Sequence, residues 1–179
     1  KNTFSWIQGM RDCMEIKQLM PHTSLISVMD READFFEIFD DQRRKSSRVE
    51  LLIRAQHNRK TRGQHKLFEE VMQSPIQSRI TIKIPRQSAR VKKKNQKARN
   101  ERAARIAEVT VRYKRAELKP PPYFQEMAPI SLWIIHVKEE KPPAGTKAVE
   151  WFLLTTIDLQ SPSDALNCIA WYCLRWRIE

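Results

Sequence analysis

Residues 24–55 read SLISVMDREADFFEIFDDQRRKSSRVELLIRA, and their punctuation decides the fold. The run SLISVM is short, continuous and apolar, the pattern of a strand buried on both faces, and it stops on Asp30. Beyond it, READFFEIFDDQ places Phe35, Ile38 and Phe39 on one helical stripe, and VELLIRA at 49–55 is a second buried strand. Two apolar strands joined through a helix pair in parallel, because a parallel pair needs a long crossover. The region therefore predicts an α/β sheet with helices on its faces. Upstream, TFSWIQGMRDCMEIKQLM spaces Trp6, Ile7, Met10, Met14 and Met20 at helical intervals, and Pro21 ends that helix.

The period changes after about residue 60. RITIKI, IAEVTVRY, ISLWIIHV and WFLLTT are strand-like, separated by a basic run, by KPPPYFQEMAP and by EEKPPAG, which predicts antiparallel pairing. QHKLFEEVMQ at 64–73 allows only a short helix. The chain closes with SPSDALNCIAWYCLRWRIE, a helix with Ser161 as N-cap, Pro162 at the first helical position and Asp164 near the positive end of the dipole. The expected organisation is a core over 1–59, a β-rich insertion over 60–156, and a final core helix over 157–179.

Composition narrows the partners. Of 179 residues, 33 are Lys or Arg and 21 Asp or Glu, a net charge of +12, and a polyanion gains by releasing counterions to such a chain. Residues 86–105, RQSARVKKKNQKARNERAAR, carry nine Lys or Arg against one Glu, with Lys92, Lys93 and Lys94 consecutive. A solvated loop is the plain reading of that run; phosphate contact is the functional one. ISLWIIHV is less than half of the ~20 residues a membrane span needs, and KNTFSW has no signal-peptide pattern, so a soluble cytoplasmic protein is expected. The three cysteines, Cys13, Cys168 and Cys173, fit reduced thiols, and His22, His57, His65 and His136 show no ligand spacing.

In YCLRWRIE, Tyr172, Arg175 and Glu179 fall at i, i+3 and i+7, directions within about 60° of one another on a helix. That face offers a phenol, a guanidinium fork for phosphate and a carboxylate for a hard cation; an exposed Arg–Glu pair is the bland alternative. Asp30 ends an apolar strand, where open α/β sheets place ligand sites, although an Asp after a strand also serves as a turn former or cap.

The DREAD segment (30–34) and the Y-x2-R-x3-E helix, with KPPAG (141–145) and EWFLLT (150–155) between them, resemble the DDE transposases of bacterial insertion sequences, in their Y-R-E-K subgroup. The resemblance spans nearly the whole chain. It implies a ribonuclease-H-like core interrupted by a β-rich insertion before the last catalytic helix. It further implies that Asp30 and Glu179 are catalytic and hold two Mg²⁺ or Mn²⁺ ions, which drive in-line attack on a DNA phosphodiester. Tyr172 and Arg175 would grip phosphate beside a flipped base, Trp151 would stack on that base, and Trp176 would assist hairpin formation. Arg54 matches a family Arg, and Arg59 would add a phosphate contact. Where the family has a Lys two residues after that Arg, this chain has Gln56.

The implied partners are transposon-end and target DNA, engaged by a homodimer in a synaptic complex, with no membrane and with nucleoid association in a bacterial cytoplasm. The family's first Asp belongs to an upstream strand. Asp12 lies in the opening helix and does not replace it, and the signature's last Lys would fall past Glu179. The expectation is a piece of a transposase that cuts no DNA alone. The alternatives are an inactive DNA-binding or inhibitory transposase fragment and, more distantly, an RNA-binding protein, for which an acidic pair has no use.

Overall fold

In the computed structural model, residues 3–45, 48–89, 91 and 100–175 are described. Helix α1 (Thr3–Leu19) leads into β1 (Ile26–Met29), a 3-10 turn (Arg31–Ala33) and α2 (Phe36–Arg43), then β2 (Glu50–Arg54) and the short α3 (Leu67–Met72). Four strands follow: β3 (Ser78–Ile84), β4 (Arg105–Leu118), β5 (Ile130–Lys138) and β6 (Glu150–Thr155). A closing helix, α4 (Pro162–Leu174), completes the chain of elements. The six strands form one mixed sheet in the order β1-β2-β6-β5-β4-β3.

The parallel pair expected from residues 24–55 is present, with Met29 opposite Ile53. Every other neighbour pair is antiparallel. The stretch 60–156 is joined edge to edge with 1–59, because β6 pairs directly with β2, Ile53 opposite Leu154. Period-two alternation sends successive side chains to opposite faces. Leu51, Ile134 and Leu154 face α1, α2 and α3, where Met10, Phe39 and Leu67 complete a buried cluster. Leu52, Val137 and Leu153 face α4, which contributes Ala165, Cys168 and Ile169. Helices on both faces of a mixed sheet make this an α/β protein.

The expected helix from Arg31 onward is broken in two. Asp34 (φ −79°, ψ 76°) and Phe35 (φ −134°, ψ 151°) leave the helical region, and α2 starts at Phe36. The cause is tertiary: Asp34 turns its carboxylate onto backbone N–H groups beyond β2. Met20 lies outside α1 and is 42% exposed, so the buried stripe of that helix ends at Met14. At α4 the expected cap forms, with the Asp164 carboxylate accepting from the Ser161 N–H at 2.8 Å and its hydroxyl at 3.0 Å. Asp40 holds Arg43, which donates to the carbonyls of Ala128 and Pro129 and so ties α2 to the entry of β5. No described helix is long and apolar enough to cross a membrane.

Candidate active site

Parallel pairing of Met29 with Ile53 brings their successors, Asp30 and Arg54, to neighbouring strand ends. Asp30 keeps extended backbone angles (φ −91°, ψ −175°) and its carbonyl starts the 3-10 turn, so its carboxylate is not consumed as a cap. The carboxylate is 40% exposed. From 142 residues further along, the Tyr172 hydroxyl donates to Oδ1 at 3.4 Å, and Arg175 Nη1 approaches Oδ2 at 3.5 Å. The Arg175 guanidinium also lies 5.9 Å from the Tyr172 ring centroid. These are long contacts, which hold the carboxylate without saturating its oxygens.

Tyr172 is nearly fully buried, and burial pushes its phenol above the ordinary value. Arg54 and Arg175 pull the other way, and the Asp30 charge reinforces the rise. The phenol therefore stays a neutral donor at physiological pH. Trp151 packs edge-on against it, centroids 5.4 Å apart at 63°, and is 5% exposed. In this arrangement Trp151 is a core side chain under α4, and base stacking on it would require its face to be uncovered.

Arg59 is committed elsewhere. Its Nη2 donates to Asp34 Oδ1 at 2.7 Å and to the Asp34 carbonyl at 2.6 Å, while the Asp34 carboxylate also accepts from the N–H groups of Gln56 (2.6 Å) and His57 (2.9 Å). The Asp34 side chain is fully buried, and that of Arg59 is 16% exposed. The pair staples the loop after β2 to the turn after β1, which sets the spacing between Arg54 and Asp30.

Beside Arg54 opens a cavity of about 190 Å³ lined by Arg31, Arg54, Ala55, Gln56, Glu150 and Phe152. Glu150 is held by His136, Nε2 to Oε1 2.8 Å, and the His136 ring stacks on Phe152, which stacks in turn on Phe68 at 3.9 Å. Burial lowers the His136 pKa, with Arg112 and Lys138 acting in the same direction and Glu150 opposing. Neither Glu150 nor His136 had a sequence signal, because their pairing depends on the register of β5 with β6, His136 opposite Phe152.

Asp30, Arg54, Tyr172, Arg175 and Trp151 thus converge, whereas Arg59 is drawn to Asp34. Lys92, Lys93, Lys94, Trp176 and Glu179 lie outside the described residues. Burial keeps the Cys168 and Cys173 thiols protonated, each pushed up to about 11, so neither is a thiolate ligand at neutral pH. For a hard divalent cation, Asp30 is a fitting ligand: a partly exposed carboxylate at a strand end, with a phenol donor to orient it. No known protein-family model matches the chain.

Proposed function

We propose that this chain is part of a ribonuclease-H-like DDE transposase and that the Asp30 cluster handles a DNA phosphodiester. One observation carries the reading: an acid at the end of a parallel strand meets Tyr172 and Arg175 from a helix 142 residues away, with Arg54 alongside. A generic phosphate-binding surface needs cations only. A carboxylate placed among them suits a site that binds phosphate and a divalent ion together.

Asp30 would hold the ion, with Glu179 as the second ligand, and the ion when bound supplies an activated water or 3′-hydroxyl and stabilises the leaving oxygen. Arg54 and Arg175 would bind the non-reacting phosphate oxygens, Arg175 through its planar fork. Tyr172 donates a long hydrogen bond from a buried ring and so would bias the Asp30 carboxylate toward one orientation. Trp151 backs that ring and limits its movement.

Fluorescence anisotropy with a labelled DNA duplex across a salt series tests the reading. The double variant Arg54→Gln/Arg175→Gln is expected to lower the slope of log K against log salt by about two units, roughly 0.9 per lost phosphate contact. An unchanged slope in a folded variant would remove both arginines from the DNA-binding role.

A further inference from the structure

The loop that leaves β2 reads HNRKTRGQHK over 57–66: four Lys or Arg, two His and no acid. It folds back on itself, with Lys60 opposite Lys66, and also pairs with the end of β4, Thr61 opposite Leu118. Two bonds fix the second pairing, from the Arg62 N–H to the Glu117 carbonyl (2.9 Å) and from the Lys119 N–H to the Lys60 carbonyl (3.0 Å). Lys60 therefore stands opposite Lys119, and Arg62 opposite Glu117. Residues directly opposite share a face, so Lys66, Lys60 and Lys119 lie three abreast on adjoining segments, all of them exposed. Thr61 and Leu118 turn the other way and are buried. There the Thr61 hydroxyl reaches the His65 carbonyl at 2.7 Å, accepts from the Gly63 N–H at 3.1 Å and meets the Glu70 carboxylate, which Lys114 approaches at 3.4 Å. A Cβ on Gly63 would collide with that carboxylate, so glycine lets the loop close this tightly.

Three lysines abreast are costly in themselves, because like charges directly opposite one another destabilise paired strands. Two structural reasons for that cost fail. Lysine guards an open sheet edge against a second chain, but Lys60 has a paired segment on either side and is no edge. A merely solvated face mixes both signs. Here Arg115, Glu117 and Lys119 share the face by alternation, and Glu117, the only acid on these segments, is taken by Arg62 at 3.5 Å. Glu69, one turn along from Lys66, directs its carboxylate onto the Asn58 amide at 2.9 and 3.0 Å. Among the described residues no acid forms an ion pair with Lys60, Lys66 or Lys119.

From this register we infer that the row Lys66, Lys60, Lys119 is a contact for the phosphate backbone of duplex DNA, beyond the Arg54 end of the Asp30 cluster. The row is two inter-strand steps wide, about 10 Å, and at 3.4 Å of axial rise per phosphate it meets about three phosphates of one strand. Lys60 follows Arg54 by six residues, which span no more than about 22 Å even when fully extended. A backbone bound at Arg54 therefore reaches the row within about six phosphates. The loop is already held by the bonds of Thr61 and Gly63, so binding orders only the ends of the lysine side chains. The inference rests on the nucleic-acid reading given above and adds three residues outside the Asp30 cluster.

The test is the same salt series on Lys60→Gln/Lys66→Gln/Lys119→Gln, with Lys45→Gln/Arg79→Gln/Lys83→Gln as an equal-charge control at three other exposed cations. The slope of log K against log salt is expected to fall by about 2.7 units in the first variant, roughly 0.9 per lost contact, and by less than about one unit in the control. Lys60→Arg/Lys66→Arg/Lys119→Arg keeps the charge and is expected to keep the slope. Because removing the lysines relieves their mutual repulsion, the first variant should also melt no lower than the unaltered chain. A melting temperature lowered by several degrees would instead give the lysines to the fold and overturn the row. Equal losses of slope in the first variant and the control would overturn it too, as would an unchanged slope. No duplex binding by the unaltered chain would overturn both the row and the DNA reading of the Asp30 cluster. Loss at the three lysines with none at Arg54 and Arg175 would uphold the row alone. Phosphatidylserine vesicles that bind through the three lysines when duplex does not would overturn the assignment to DNA.

Discussion

Asp30 and Asp34 belong to the same five-residue segment, yet their surroundings differ in every respect that matters for chemistry. Asp34 is fully buried and takes hydrogen bonds from two backbone N–H groups and from Arg59, all but one of them at 2.9 Å or less. Asp30 is 40% exposed, and its side-chain contacts to Tyr172 and Arg175 are 3.4 and 3.5 Å long. A saturated carboxylate is a fastener; an under-coordinated one retains lone pairs for a ligand. The comparison also explains why Arg59, legible as a phosphate contact, is not offered to one here. Asp34 has taken it.

That contrast breaks most easily at the fastener. Asp34→Ala leaves a nearly buried guanidinium and two N–H groups without their acceptor, and is expected to cost about 3–5 kcal/mol, read by urea or thermal unfolding. A cost under about 1 kcal/mol would mean that the staple is dispensable and that Asp34 is no different in kind from Asp30. By contrast, Asp30→Asn is expected to change stability by less than about 1 kcal/mol, since it removes only long, partly solvated contacts. Its effect should fall on divalent-ion binding instead. Tyr172→Phe sharpens the comparison further: the ring and its packing on Trp151 remain, so the melt should shift little, while DNA binding in the presence of Mn²⁺ weakens because Asp30 loses its orienting donor. Unaltered DNA binding would reduce Tyr172 to core packing.

The smallest expected effect lies at His136. Its folded pKa is depressed by burial, so as pH falls below the ordinary value of 6.5 the unfolded chain takes up the proton first. Stability is therefore kept above that value and lost on acidification toward the folded pKa. Melting temperatures measured from pH 7 down to pH 5 should fall more steeply for the unaltered chain than for His136→Gln. Parallel curves would show that His136 carries no linkage.

Local pattern was enough for much of this architecture. The strands at 26–29 and 50–54, their parallel pairing, and the alternating strands of the second half follow from apolar runs and period two. So does the cap at Ser161 and Asp164. The break in the helix after Arg31 was not legible, because it is caused by N–H groups at Gln56 and His57 that the sequence places more than twenty residues away. Nor was the single continuous sheet, since pairing of β6 with β2 is a choice among distant edges. At the site, Asp30 was readable from its position at a strand end and Tyr172 and Arg175 from their shared helix face, whereas Arg54 was singled out only by the family resemblance. The burial of Trp151 and the link from Glu150 to His136 depend on which face of β6 each residue occupies, and no short motif records that.

The most direct test of the Asp30 cluster is paramagnetic broadening of backbone amide signals on addition of Mn²⁺, compared between the unaltered chain and Asp30→Asn. A weak site still registers by this measurement. Selective broadening at Asp30, Arg31 and Tyr172 that disappears in Asp30→Asn is the expected result. Broadening that is the same in both proteins, or that centres on other carboxylates, would contradict a divalent-cation site at the end of β1.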